Sequence, residues 1–387
     1  MTEKLFYEDS HMITFSAVVE ACEKVRDNYE AVLSRTAFFP EGGGQYADTG
    51  VIDSVEVIDV HERQGVIYHK VKEPLEVGKM VEGTIDWEER FSKMQQHSGE
   101  HIVSGIVHAT LGYDNVGFHM GKDAITMDFN GIITKEQLKE IEKKANEAVV
   151  KNLDIQVLYP SKEELEQIEY RSKIEIEGQV RIVVVPGYDV CACCAPHVKK
   201  TGEIGIIKLV GLQNYKGGVR VSMLCGFRAL ADYEEKSESV KQISVMLSAK
   251  ENEVADEVAR VKGELALQKQ GMADLQKTLL KYKVKELEEN QEAIILFEAE
   301  LEGSAPRELV NLILSKGTGV GAVFAGNEVD GYRYVIGSKS IDVRSCAKVL
   351  NERFHGRGGG KPEMVQGSLC GNENEIREEV ETWRREV

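Results

Sequence analysis

Two short motifs, far apart in the chain, constrain its fold more than any other feature. QQHSGEHIVSGIVH places His97 and His101 at i and i+4, and CCAPH places Cys193 and His197 at the same spacing. On a helix, residues four apart stack on one face, so both imidazoles of the first motif can reach one point in space. Imidazole nitrogen and thiolate sulfur are donors that Zn2+ prefers, and four of them complete a tetrahedron. Ninety-two residues separate His101 from Cys193. A shared ion therefore requires a fold that brings the chain back to the helix after a long excursion. A catalytic zinc also needs a place for water or substrate, so one ligand yields or the ion expands to five-coordinate. Cys191 and Cys194, in the same CACC run, are rival thiols.

Composition narrows the setting. The chain has 387 residues, 42% hydrophobic and 29% charged, enough for two or three domains with cores of their own. No apolar run approaches the ~20 residues that span a bilayer, and MTEKLFYEDSHM lacks the pattern of a secretory signal. The expectation is a cytoplasmic protein without a membrane partner. Seven cysteines in such a compartment read as free thiols or ligands rather than disulfides. The net charge of −17 lowers the expectation of a nucleic-acid partner, but an acidic average can hide a basic stripe.

The pattern along the chain predicts an α+β protein in four parts. Residues 1–85 alternate β-branched runs with turn signals, densest in PEGGGQYADTG at 40–50, and read as a small β-barrel-like domain. Residues 86–232 predict helices at 88–111, 135–151 and 161–171, the second capped by Thr134 and the third opened by a Ser161/Glu164 capping box. Strands at 180–185, 204–210 and 219–224 complete an α/β domain with an antiparallel sheet. Residues 233–290 carry two interleaved apolar heptad lines, Leu247/Val254/Val261/Leu275 and Val258/Leu265/Met272/Leu279. They predict a long helical hairpin or coiled coil, with a bend or break near Gly263 or Gly271. Residues 291–387 read as a compact α/β domain with a basic glycine loop, FHGRGGGKPEMVQG, at 354–367.

HxxxH with CxxxH, followed by KKTGEIG at 199–205, resembles the editing domain of alanyl-tRNA synthetases and their free-standing AlaX relatives. RTAFFPEGGGQYADTG at 35–50 resembles the glycine-rich motif of that family, and HGRGGGKPEMVQG its DHHA1 domain, so the likeness is closest to the long AlaX type. CCAPH replaces the family's frequent CGGTH, keeping the ligand spacing but changing the residues between, and Ser98 stands where a zinc protease carries its glutamate. No adenylation region or DHH phosphoesterase half is found.

The resemblance implies a trans-acting, zinc-dependent hydrolase of mischarged tRNA(Ala), chiefly Ser-tRNA(Ala), with Gly-tRNA(Ala) as a second substrate, and a homodimer. It assigns Thr36 and Gln45 to the serine hydroxyl and Gly43 and Gly44 to the turn that admits substrate. Gln96 and Glu100 become supports of the ligands. Basic residues near the two motifs, Lys199, Lys200, Lys216 and Arg220, then Arg353, Arg357 and Lys361, are candidates for tRNA phosphates. Threonyl-type editing, whose domain shares HxxxH and CxxxH, and a non-catalytic tRNA-binding protein with structural zinc are the competing readings.

Overall fold

A computed structural model describes residues 1–121, 123–172 and 179–387, and the chain divides into two compact units, Met1–Gln242 and Ile243–Val387. It is mixed α and β, with several separate sheets.

In the first unit six strands, Thr14–Val25, Asn28–Leu33, Val66–Val71, Val55–Arg63, Gly50–Ile52 and Met80–Ile85, pair antiparallel in that spatial order. The ring closes where Met80–Ile85 returns to Thr14–Val25. Alternation puts Phe15, Ala17 and Val19 inside with Val57, Val60, Ile67 and Val71. His69 is fully buried among them, its Nδ1–H bonded to the Ala31 carbonyl and its Nε2 accepting the Thr36 hydroxyl.

A second core, from Met94 to Cys225, surrounds the helix Trp87–Leu111. Asp86 caps that helix by accepting from the Glu89 amide, and Gly112, in the left-handed region, ends it. The sheet beside it has the order Ile207–Tyr215, Gly218–Cys225, Ile125–Phe129, Asn115–Met120, all antiparallel. A three-stranded sheet of Gln156–Leu158, Ile182–Val185 and Asp189–Ala192 carries the chain into the CACC run. The helix Lys135–Lys151 opens with a reciprocal Thr134/Gln137 capping box.

Two expectations for this unit change. The helix expected at 161–171 is one turn, Lys162–Leu165; its Ser161/Glu164 box forms, but no apolar face follows to be buried, and none of its residues is buried. The strand expected from 204 starts at Ile207, because Thr201–Ile204 forms a 3-10 turn ended by Gly205 at φ +71.

In the second unit the strands Ala293–Glu298, Val320–Asn327, Gly331–Ser338, Met364–Leu369 and Arg357–Lys361 form one sheet, parallel only at its first pair. Ala305–Ser315 buries Leu309, Val310 and Ile313 against it. The stretch 354–367, read as a loop, contains most of a β-hairpin, Arg357–Lys361 paired with Met364–Leu369. Close approach requires glycine at some of its positions, since a Cβ at Gly358 would come within 2.4 Å of Tyr334 Oη and one at Gly367 within 2.4 Å of the Arg357 carbonyl, whereas one at Gly359 would meet nothing. The helix break also lies elsewhere. Val254–Glu286 runs unbroken through Gly263 and Gly271, and the interruption falls after Gly226–Leu247, where Ser248 takes φ +52. Two exposed glycines at about 1 kcal/mol each do not outweigh a helix of 33 residues. The heptad residues Leu265, Met272 and Leu279 are exposed. Among the described residues no helix is long and apolar enough to cross a membrane.

Burial holds the His69 pKa down to about 4, against the pull of its bond to Ala31. A histidine depressed in the folded state stabilises it fully above the unfolded pKa of about 6.5, and that stability is lost as pH falls toward 4. The expected loss is about 3 kcal/mol. Urea unfolding of wild type and His69→Gln between pH 7 and 4 checks this: the variant should show a flatter fall, and parallel curves would contradict it.

A candidate metal centre

The helix Trp87–Leu111 is enclosed along most of its length, from Arg90 to Val107, so its polar side chains must find partners inside the protein. Arg90 does so first. Its guanidinium is fully buried and bonds the Asp48 carboxylate through Nε and Nη2, the Ala37 carbonyl and the Ser10 carbonyl. Asp48 in turn accepts the Phe39 amide, and Lys93 donates to the Ala47 carbonyl. These contacts fasten the glycine-rich segment 37–48 to the helix. Removing one partner of such a buried pair costs about 3–5 kcal/mol.

One helical turn on, His97 and His101 face Cys193 and His197, and the four ligand atoms lie within 4.8 Å of one another. Each imidazole is aimed by a bond at its Nδ1: His97 to Gln45 Oε1 at 3.1 Å, His101 to Asp189 Oδ2 at 2.7 Å, and His197 to Ser98 Oγ at 3.2 Å. With the proton held there, each Nε2 presents its lone pair to the common point. The Nε2 atoms of His97 and His197 lie 3.5 and 3.4 Å from Cys193 Sγ. His101 Nε2 is buried with no hydrogen-bond partner among the described residues. Three oriented imidazoles, one thiol and an orphaned buried nitrogen fit a tetrahedral zinc ion.

Electrostatics favour the ligand form of the sulfur. Burial alone would raise the Cys193 pKa, but the charges of His97 and His197 and the nearness of the His101 ring bring it well below the ordinary thiol value. Burial drives His197 down to about 3, keeping it neutral. Burial would also lower His101, yet Asp189, Cys191 and Cys193 raise it well above its ordinary value. Asp189 is held below the usual carboxylate range, against its burial, by His101 and by Arg171, which grips it through Nε and Nη2 at 2.8 and 2.9 Å.

Of the rival thiols, Cys194 is exposed and its Sγ sits against the turn, 3.1 Å from where a Gly43 Cβ would be. Although the residue as a whole is exposed, desolvation of the sulfur against its neighbours, and then Cys193, push its pKa up to about 11. Cys191 groups instead with His101 and Asp189. The turn itself is closed by reciprocal backbone bonds between Gly42 and Gln45, with Gly43 at φ +59 and Gly44 at φ +81. Both angles are those of a type I′ turn, which glycine adopts without strain.

Other expected residues hold different posts. The Thr36 hydroxyl bonds His69 and accepts the Phe38 amide, which makes it a brace of the barrel wall. Gln96 pairs through both ends of its amide with the Cys225 backbone. Glu100 is buried and accepts from Ser104 and Asn115. Lys199, Lys200 and Arg220 meet Asp9, Asp154 and Asp128, and Arg220 also lies 3.9 Å from the Tyr215 ring centroid. Lys216 takes φ +45 in the turn before Gly217. In the second unit Arg353 pairs with Glu379, whereas Arg357 and Lys361 stand exposed on the strand at the sheet edge. Sequence reasoning missed Asp189, Arg171 and Arg181, whose Nη1 donates to the Cys193 and Ala195 carbonyls. Ser98 was visible only as a missing glutamate.

Comparison with known proteins places these elements in families. Residues 2–89 match the family described as tRNA synthetases class II (A), residues 180–226 the threonyl and alanyl tRNA synthetase second additional domain, and residues 290–386 the DHHA1 domain. An alanine–tRNA ligase of Pyrococcus furiosus is 32% identical over 95% of this chain and 42% of its own length. That of Methanococcus maripaludis is 29% identical over 98% of the chain and 43% of its length. The alanyl-tRNA editing protein AlaX-L of Pyrococcus horikoshii is 32% identical over 61% of each chain. The chain thus spans less than half the length of the ligases it matches.

Partners that orient a ligating histidine typically contribute 10- to 100-fold to metal affinity. Asp189→Asn should therefore weaken zinc binding about tenfold or more, measured by competition with a chromophoric chelator. An unchanged affinity would show that Asp189 does not orient His101.

Proposed function

We propose that this chain, an AlaX-type editing protein with a DHHA1 domain, hydrolyses the ester of tRNA(Ala) carrying the wrong amino acid, chiefly serine. The observation that carries the reading is the four-donor group His97, His101, Cys193 and His197 beside the Gly42–Gln45 turn. Zinc is the ion those donors suit, and when bound it supplies Lewis acidity at neutral pH, of use to an ester carbonyl or a water molecule.

The chain's own residues do the positioning. Asp189, Ser98 and Gln45 fix the three imidazoles. Gly43 and Gly44 let the turn take its two left-handed angles and pack against Cys194 Sγ and the Phe118 ring, which side chains at these positions would displace. Gln45 has a second role. Its Oε1 is committed to His97, but its Nε2 is fully buried with no partner among the described residues. That N–H is a donor for the hydroxyl of serine. A site that hydrogen-bonds a substrate hydroxyl rejects an analogue lacking it by up to roughly 10^4-fold or more, so cognate alanine is spared. Thr36 is occupied by His69 and by the Phe38 amide, which leaves the hydroxyl of serine to Gln45.

The exposed Arg357 and Lys361 and the surface bases Lys199, Lys200, Lys216 and Arg220 contact tRNA phosphates. Surface ion pairs such as Lys199–Asp9 are worth at most about 1 kcal/mol, so these bases can exchange carboxylate for phosphate. The exposed heptad line of Val254–Glu286 joins two copies of the chain in the cytoplasm.

Deacylation of Ser-tRNA(Ala), Gly-tRNA(Ala) and Ser-tRNA(Thr) separates the alternatives. The zinc-loaded protein should clear the first fastest, and Gln45→Ala should lower its kcat/KM by about tenfold or more. Preference for Ser-tRNA(Thr) would indicate threonyl-type editing, which the second additional domain also includes in its description. No hydrolysis of any of the three would leave a tRNA-binding protein with structural zinc. Truncation after Gln242 should lower the mass seen by light scattering to about a third of the full-length dimer's, because 242 residues replace two chains of 387; a monomeric full-length chain would contradict the dimer.

A further inference from the structure

Two exposed aromatic rings stand one residue along the chain from groups that contact His97. Tyr46 follows Gln45 directly, is 45% exposed, and its hydroxyl has no hydrogen bond among the described residues. Its ring meets that of His119 at 6.3 Å between centroids, nearly perpendicular at 83°. His119 is exposed on the strand Asn115–Met120, the edge of its sheet, and its side chain likewise has no hydrogen bond among the described residues.

Both rings are held in place although neither is buried. Tyr46 is anchored by the closed Gly42–Gln45 turn on one side and by the Asp48 bonds on the other. His119 is anchored by Phe118, whose ring lies 5.0 Å from that of His97 and so close to Gly44 that a Cβ there would come within 2.6 Å of it. Tyr46 and His119 are therefore each one residue from a group that touches His97, about 4 Å along the backbone.

We propose that Tyr46 and His119 are the seat on which the terminal nucleobase of the acyl-bearing tRNA end stacks. The proposal rests on the deacylase reading, because the occupant is the base attached to the ribose whose ester is cleaved. That ribose is the link between an ester carbonyl at the metal centre and a base at the rim. Every base has a flat π-face, and protein rings supply stacking that tolerates any base. Because the two rings are nearly perpendicular, a base stacked on the face of one meets the other edge-on, and a pair already placed loses little conformational freedom when the base arrives. Together with Gln45, the seat would read both halves of the substrate's end: the hydroxyl of the amino acid within and the base at the mouth.

Two measurements on the zinc-loaded full chain test this. In the first, an RNA acceptor-stem hairpin ends in 2-aminopurine, whose fluorescence is quenched by stacking on protein rings. Wild type and Tyr46→Phe should quench it, and the double variant Tyr46→Ala/His119→Ala should bind roughly tenfold more weakly or lose the quench. Equal quenching by the double variant overturns the proposal. In the second, kcat/KM is compared for seryl esters of the same hairpin ending in adenosine or in an abasic ribose. The ratio should exceed roughly 10 in wild type and collapse toward one in Tyr46→Ala; a ratio unchanged by the substitution overturns the proposal. If wild type cleaves neither ester, the deacylase reading fails, while the fluorescence still decides whether the base sits on Tyr46 and His119.

Discussion

The metal centre depends on a hydrogen bond at the far nitrogen of each imidazole. Gln45, Asp189 and Ser98 hold the Nδ1 atoms of His97, His101 and His197, so the Nε2 atoms have one direction left to face. The three anchors come from three separate places: the glycine turn, the strand Asp189–Ala192 and the ligand helix itself. A cluster of four donors assembled this way needs the whole first unit folded around it. It also needs each anchor fixed, and Arg171 fixes Asp189 as Val198 and its amide fix Ser98.

The same requirement explains why a helix with so many polar residues is buried. Between Arg90 and Ser104 every polar side chain that points inward finds a partner. Arg90 and Lys93 clasp segment 37–48, Gln96 clasps Cys225, and Glu100 collects Ser104 and Asn115. Among the described residues two atoms of this stretch lack a partner, Gln95 Oε1 and His101 Nε2, and only the second faces the other donors of the cluster. A bare imidazole nitrogen beside a thiol prone to ionise is an arrangement that a bound cation would satisfy.

The sequence was most legible where chemistry and periodicity coincided. His97 and His101 could be paired because helix spacing is rigid, and the helix predicted at 88–111 spans Trp87–Leu111. Cys193 was distinguishable from its neighbours only by its spacing to His197, and the structure groups it with the histidines. What stayed hidden depends on tertiary contact. Asp189 and Arg171 have no motif of their own, and nothing before folding links Thr36 to His69. The hairpin at 357–369 was unreadable because glycines lack the side chains from which strand propensity is judged; only the neighbouring backbones reveal why they are there. The helix Arg344–Arg353 escaped because RSCAKVLNER buries only Cys346, Ala347 and Leu350, too sparse a face to stand out.

The central claim is that three imidazoles and the Cys193 thiolate share one zinc ion, and its most direct test is the coordination shell itself. X-ray absorption at the zinc edge of the purified, metal-loaded protein should show one ion with about three nitrogens near 2.0 Å and one sulfur near 2.3 Å. The sulfur should vanish in Cys193→Ala and persist in Cys191→Ala and Cys194→Ala. Two or more sulfurs, or a sulfur that survives Cys193→Ala, would contradict the account.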